Sequence, residues 1–128
     1  MAPVRRIEFP DEVDGSSLIV QWAEHPEARS EYLEAVRYLL IESGKLAAAQ
    51  LEASREAAQR RINHWPDSMP PYLDLTTDPI LRHTGLGKFN YRLIYQRRED
   101  RIWVLAYAHT SRMPGYWSNR LNDDPNFR

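Results

Sequence analysis

The chain has 128 residues, of which 42% are hydrophobic and 27% charged, with a net charge of −1 and no cysteine. This length fits one domain around one core, and the composition excludes a disordered or fibrous chain, while the missing cysteines exclude disulfides, thiolate metal sites and a cysteine nucleophile. The longest apolar run, Tyr38-Leu39-Leu40-Ile41, falls far short of the ~20 residues that span a bilayer, and Met1 to Asp14 lack the apolar stretch of a secretory signal, so a cytoplasmic protein without membrane contact is expected.

Residues 1–16 are polar and read as an N-terminal arm, within which Arg6 to Phe9 suit a short extra edge strand. Ser17 to Ala23 reads as the first full strand, through Leu18, Ile19, Val20 and Trp22. A helix is expected from Pro26, because proline has no N–H to lose at the first helical position. Glu27, Glu31 and Glu34 follow in its first turns, where the helix dipole favours negative charge. Tyr32, Val36, Leu39 and Leu40 recur at helical spacing and predict one buried stripe. Gly44 then suits a left-handed stop.

A second helix is predicted from about Leu46 to Trp65, with Leu51, Ala58, Ile62 and Trp65 on one face and several alanines permitting close approach. The short link at Gly44 makes the pair an antiparallel hairpin. Pro66 to Pro79 holds four prolines and reads as a long connector. Three strand signals follow: Ile80 to Leu86, Phe89 to Arg97 and Arg101 to Thr110, the last two joined by the turn Arg98-Glu99-Asp100.

One helix hairpin and one small sheet bury all these stripes most simply. The expected fold is therefore α+β: an antiparallel-rich sheet, built from the first strand and a C-terminal three-stranded meander, packed on the helices. Phe89, Tyr91, Leu93 and Tyr95 share one face of their strand. By strict alternation Trp103, Leu105 and Tyr107 share one face of the next, with Ile102, Val104, Ala106 and Ala108 opposite. Both strong strands are thus apolar on both faces, and a sheet covered on one side alone alternates more cleanly. The second face needs cover, either from Pro114 to Leu121 or from a partner chain.

Charge is distributed unevenly. Residues 1–79 hold 8 Lys/Arg against 14 Asp/Glu, whereas residues 80–120 hold 8 against 2. The C-terminal third therefore presents cations either to an acidic partner or along solvent-exposed strand edges.

Within it lie Arg82, His83, Lys88, Arg92, His109, Arg112 and Tyr116. Arg92 sits inside an apolar strand, where a charge requires either a carboxylate or a groove. His109 can exchange a proton near neutral pH, arginine binds phosphate through its fork, and tyrosine can stack on a base. Arg92, His109, Arg112 and Tyr116 together would suit a metal-independent ribonuclease that uses the substrate's own 2′-OH. The plainer alternatives are that His109 caps a strand, Arg112 pairs within the terminal turn, and Tyr116 and Trp117 plug the sheet. His25 and His64, at helix ends, read as structural. No phosphate loop, calcium loop or zinc-ligand spacing is present, and no metal or cofactor is expected.

Phe89-Asn90-Tyr91-Arg92-Leu93-Ile94-Tyr95, Ile102-Trp103-Val104-Leu105-Ala106 and His109-Thr110-Ser111-Arg112-Met113-Pro114-Gly115-Tyr116-Trp117 resemble the C-terminal hairpin of RelE/ParE-superfamily toxins, and His25-Pro26-Glu27-Ala28-Arg29 resembles the opening of that family's helix hairpin. The resemblance covers roughly residues 17–121, leaving residues 1–16 as an arm and residues 122–128 as a tail. It implies the toxin of a type II toxin–antitoxin system, a growth inhibitor of the plasmid-stabilization kind, neutralised by a cognate antitoxin that wraps it. ParE-like members bind DNA gyrase and cleave nothing; RelE-like members cleave mRNA on the ribosome. Only Arg92, Arg112 and Tyr116 match the nuclease pattern, and Lys88 is the sole lysine in the strand region. The ParE-like reading, with Arg82, His83, Lys88, Arg92 and Arg112 as binding residues, is the primary expectation.

Overall fold

A computed structural model of the protein describes residues 21–72 and 77–123. The elements run β1 (Gln21–Glu24), α1 (Pro26–Glu42), α2 (Lys45–His64), β2 (Leu81–Leu86), β3 (Phe89–Arg98) and β4 (Arg101–His109), closed by a 3₁₀ turn at Ser118–Asn122. They form a four-stranded sheet in the order β1-β4-β3-β2 beneath a helix hairpin, the expected α+β architecture. β2, β3 and β4 make an antiparallel meander, and β1 joins β4 in parallel, from Gln21 against Arg101 to Glu24 against Val104. The proposed strand at Arg6 to Phe9, and residues 17–20 of the first predicted strand, lie outside the described residues.

α1 begins where the proline signal places it. Buried His25 is its N-cap, and its Nδ1 accepts from the Glu27 amide at 3.1 Å, satisfying one of the orphan donors of the first turn. Ala28, Tyr32 and Ala35 face the sheet. Leu40 does not complete the stripe and is 46% exposed. It trails Tyr32 by about 80° around a 3.6-residue helix, while Ala28 and Ala35 lie on the other flank of Tyr32. Gly44 has φ +94°, open to glycine at little cost, and turns the chain into α2.

α2 buries Ala48, Leu51, Ala58 and Ile62. Trp65, expected on that face, caps the helix with ψ +67°, leaves the helical path and is 59% exposed. The connector is partly ordered by the sheet: Tyr72 N donates to Leu81 O at 2.8 Å and His83 N to Pro70 O at 3.2 Å. Asp78-Pro79 is a cis peptide.

Strict alternation fails in β4. Ile94 lies opposite Ala106 and Tyr95 opposite Val104, so Leu105 is an extra, bulged residue. The bulge shifts side-chain parity midway along the strand. Ile102, Val104 and Tyr107 consequently share the helix-side core, whereas Trp103, Leu105, Ala106 and Ala108 share the opposite one. The expected grouping of Tyr107 with Trp103 and Leu105 is corrected by this one residue.

That opposite face is covered by the chain itself. After His109 the chain doubles back, and Trp117, fully buried, packs with Leu81, Ile94, Trp103 and Leu105, flanked by Tyr72, Tyr116 and Leu121. The edge of β4 beyond β1 is also closed by side chains. Glu31 Oε1 accepts from Tyr107 N at 3.1 Å, and Arg120 Nη1 donates to Leu105 O at 2.9 Å. Buried Arg120 meets Glu31 Oε2 at 2.8 Å and Glu27 Oε1 at 3.4 Å, pinning the terminal turn to α1. His25 Nε2 and Asp123 Oδ2, 2.5 Å apart, make a second tie between the same two segments. A desolvated carboxylate and guanidinium are tolerable because each satisfies the other.

Candidate functional site

Most of the residues singled out in the sequence meet at one end of the sheet, where β4 ends and the return segment begins. Register places Arg92 opposite Ala108 and Gly85, on the face away from the helices. Its Nε and Nη2 both donate to His83 Nδ1, at 3.0 and 2.8 Å. His83 must therefore be unprotonated at Nδ1. Burial, and then the charge of Arg92, hold its pKa below the usual imidazole value, which agrees with that role. Gly85 gives the guanidinium room: a Cβ at that position would lie 3.2 Å from Arg92 Nη1. Tyr72 closes the arrangement with an edge contact to the His83 ring, centroids 5.3 Å apart.

His109 caps its own turn. Nδ1 receives the Ser111 amide at 3.0 Å and lies 2.8 Å from the Ser111 hydroxyl, while the ring meets Tyr91 edge-on at 5.0 Å. Nε2 is then the nitrogen turned to other chemistry. Arg112 stacks on the Tyr116 ring, its guanidinium carbon 3.9 Å from the ring centre. The Tyr116 hydroxyl donates to Glu31 Oε2 at 2.7 Å. Burial and Glu31 together push its pKa far above the ordinary phenol value, so it keeps its proton.

His109 and Arg112 stand between two cavities. One, of about 210 Å³, lies on the face away from the helices and is lined by Tyr72, His83, Arg92, Thr110 and Pro114 besides these two. The other, of about 250 Å³, opens toward α1 and is lined by Glu31, Glu34, Tyr38, Tyr91 and Tyr116 among others. The first is cationic, the second aromatic and acidic.

Of the predicted residues, His83, Arg92, His109 and Arg112 share the first cavity, and Tyr116 lies at the second. Two fall elsewhere. Arg82 has the opposite parity to His83, and its Nη1 donates to Met69 O at 2.7 Å, a tie to the connector. Lys88, in the β2–β3 turn, lies over the Phe89 ring at 5.7 Å and lines neither cavity. Tyr72, Gly85, Glu31 and Arg120 were not anticipated. Tyr72 sits in the connector, Gly85 in the weakest strand signal, and Glu31 served the sequence reading only as a charge suited to a helix start. Their partners are distant in the chain, and no local pattern announces them. Among the described residues no group of three or more His, Asp or Glu is placed to hold a metal ion, and no helix is long and apolar enough to cross a membrane.

By sequence the chain matches no protein family, and no curated protein matches it. Among solved structures it is similar to a chain of the chromosomal ParDE TA system from P. aeruginosa, with a TM-score of 0.61 and 7% identity. The alignment takes in 73% of this chain and 99% of that one. At that identity the likeness is one of fold alone: this α+β chain, with its β1-β4-β3-β2 sheet and helix hairpin, is similar in architecture to one chain of that ParDE TA system.

Proposed function

We propose that this protein is the toxin of a toxin–antitoxin pair, of the ParE-like kind, acting by binding a protein target and neutralised by a cognate antitoxin. The observation that carries the reading is the fold, which matches almost the whole of a ParDE chain. His109 and Arg112, the H-x-x-R end of the hairpin that carries the resemblance, both line the cationic cavity.

Two features support binding over cleavage. The hairpin exposes Leu33, Leu40, Ile41 and Leu46, at 49, 46, 74 and 72%, an apolar surface suited to a polypeptide partner. Tyr116, which a nuclease would use to orient a base, has its hydroxyl held by Glu31 and its ring covered by Arg112. DNA gyrase is the proposed target. In a supercoiling assay the purified chain is expected to inhibit gyrase at stoichiometric amounts, and undiminished supercoiling at a large excess would remove gyrase from the account.

A second reading is favoured by one observation, the cavity shared by Arg92, His109 and Arg112. In it the chain is a metal-independent, ribosome-dependent mRNA endonuclease, with His109 exchanging the proton and the arginines stabilising the phosphorane. His109→Ala and Arg112→Ala would then abolish growth arrest, which the binding reading does not require of His109.

A further inference from the structure

Arg92 and Arg112 are cations in search of an anion. Among the described residues neither forms an ion pair with a carboxylate, although four other arginines do. Both wall the 210 Å³ cavity with Tyr72, His83, His109 and Thr110. Arg92 is half-buried and Arg112 exposed; for Arg92 a guanidinium without a counter-charge is costly, and a bound anion relieves that cost.

The geometry is prepared for one. His83 takes Nε and Nη2 of Arg92 through a single nitrogen, which fixes the guanidinium plane. Gly85 lets Nη1 lie against the backbone of β2 where any larger residue would press on it. Arg112 is held by the Tyr116 ring at the other wall. Groups already oriented in the free protein lose little entropy on binding.

The surroundings select the kind of anion. Beyond His109 and Arg112 lies the second cavity, lined by Glu31 and Glu34. An extended phosphate backbone leaving the cavity on that side would meet like charge. A single carboxylate, entering from a polypeptide that lies across the sheet end, would not. One charge-assisted contact from each of the two guanidiniums suits the two oxygens of a carboxylate.

We infer that the cavity between Arg92 and Arg112 is a receptor for one carboxylate, an Asp or Glu side chain of a polypeptide partner. This deepens the binding reading by giving the chemistry of the partner, and rests on it only in taking that partner to be a protein.

The test titrates the ¹⁵N-labelled full chain with three probes at matched ionic strength: an acetylated hexapeptide alternating glutamate and leucine, its glutamine counterpart, and hexauridylate. The expected result is movement of the Arg92 Nε–H and Thr110 amide resonances with the glutamate peptide and none with the glutamine peptide. Arg92→Gln is expected to weaken the glutamate peptide about tenfold or more, the loss of a charge-assisted contact. Arg112→Gln, at an exposed side chain, is expected to weaken it in the same direction without risk to the fold. The inference is overturned if the two peptides bind alike, if hexauridylate moves these resonances at lower concentration than the glutamate peptide, or if neither variant alters the titration. None of these outcomes depends on toxicity, so the toxin reading stands or falls separately.

Discussion

At the scale of single residues, the chemistry of the site depends on which groups are satisfied. Glu31 has three partners, Tyr107 N, Tyr116 Oη and Arg120 Nη2, and holds the return segment to α1 through all of them. Arg120→Ala leaves this carboxylate, 15% exposed, without its cation. The expected cost is about 3 kcal/mol, because an unpaired buried charge is penalised by its full desolvation. A urea melt of the variant against wild type checks it. His83 gives a pH dependence of the opposite kind to a paired histidine. Its folded pKa is depressed, so the unfolded chain binds the proton more readily. Stability is therefore full above the ordinary imidazole value of about 6.5 and declines as pH falls below it, toward the folded pKa. Melting temperatures across this range should show the decline, and His83→Phe should reduce it. The residue-level content of the sequence was partial for a definite reason. Arg92 announces itself as a charge in an apolar strand, but its orienting partner, His83, comes from another strand, and the glycine beneath it carries no signal.

At the scale of elements, periodicity placed the helix hairpin and the meander, because helices and hairpins are specified by neighbours in sequence. What it missed are interruptions of period. One bulged residue, Leu105, moves Tyr107 to the helix side and puts Ala106 and Ala108 on the other, and nothing in an unbroken run of apolar residues marks where a bulge falls. The apolar character of both strand faces was readable, and with it the need for cover. The structure gives that role to the return segment. Trp117→Ala should therefore cost about 3–5 kcal/mol, the range for removing a large buried side chain, and should loosen the cavity wall formed by Tyr72, whose ring lies 5.4 Å from that of Trp117. Chemical denaturation measures the first effect and amide exchange at β2 the second. The β2–β3 turn makes a comparable demand. Gly87 has φ +58°, and a Cβ there would come 2.5 Å from Ser54 Oγ on α2. Gly87→Ala is expected to lower stability by about 1–3 kcal/mol through backbone strain and the displaced serine. Pairing it with Ser54→Gly should recover the steric part and leave the backbone part.

At the scale of the molecule, the sheet end is the place where the helix layer, the sheet and the return segment meet, and the charges of the two halves of the chain meet there as well. The acidic helix side and the basic strand side, visible in the sequence as a shift in composition, become two adjoining cavities divided by His109 and Arg112. The fold is similar to that of a chain of the ParDE TA system from P. aeruginosa, and the proposal of a binding toxin rests on that likeness together with a tyrosine already committed to Glu31. The most direct test is to induce the full chain in a bacterial host, follow growth, and map the 5′ ends of mRNA in the same cells. The account predicts growth arrest with mRNA intact, relieved by co-expression of the product of an adjacent reading frame. Unimpaired growth, or cuts in mRNA phased to codons, would contradict it.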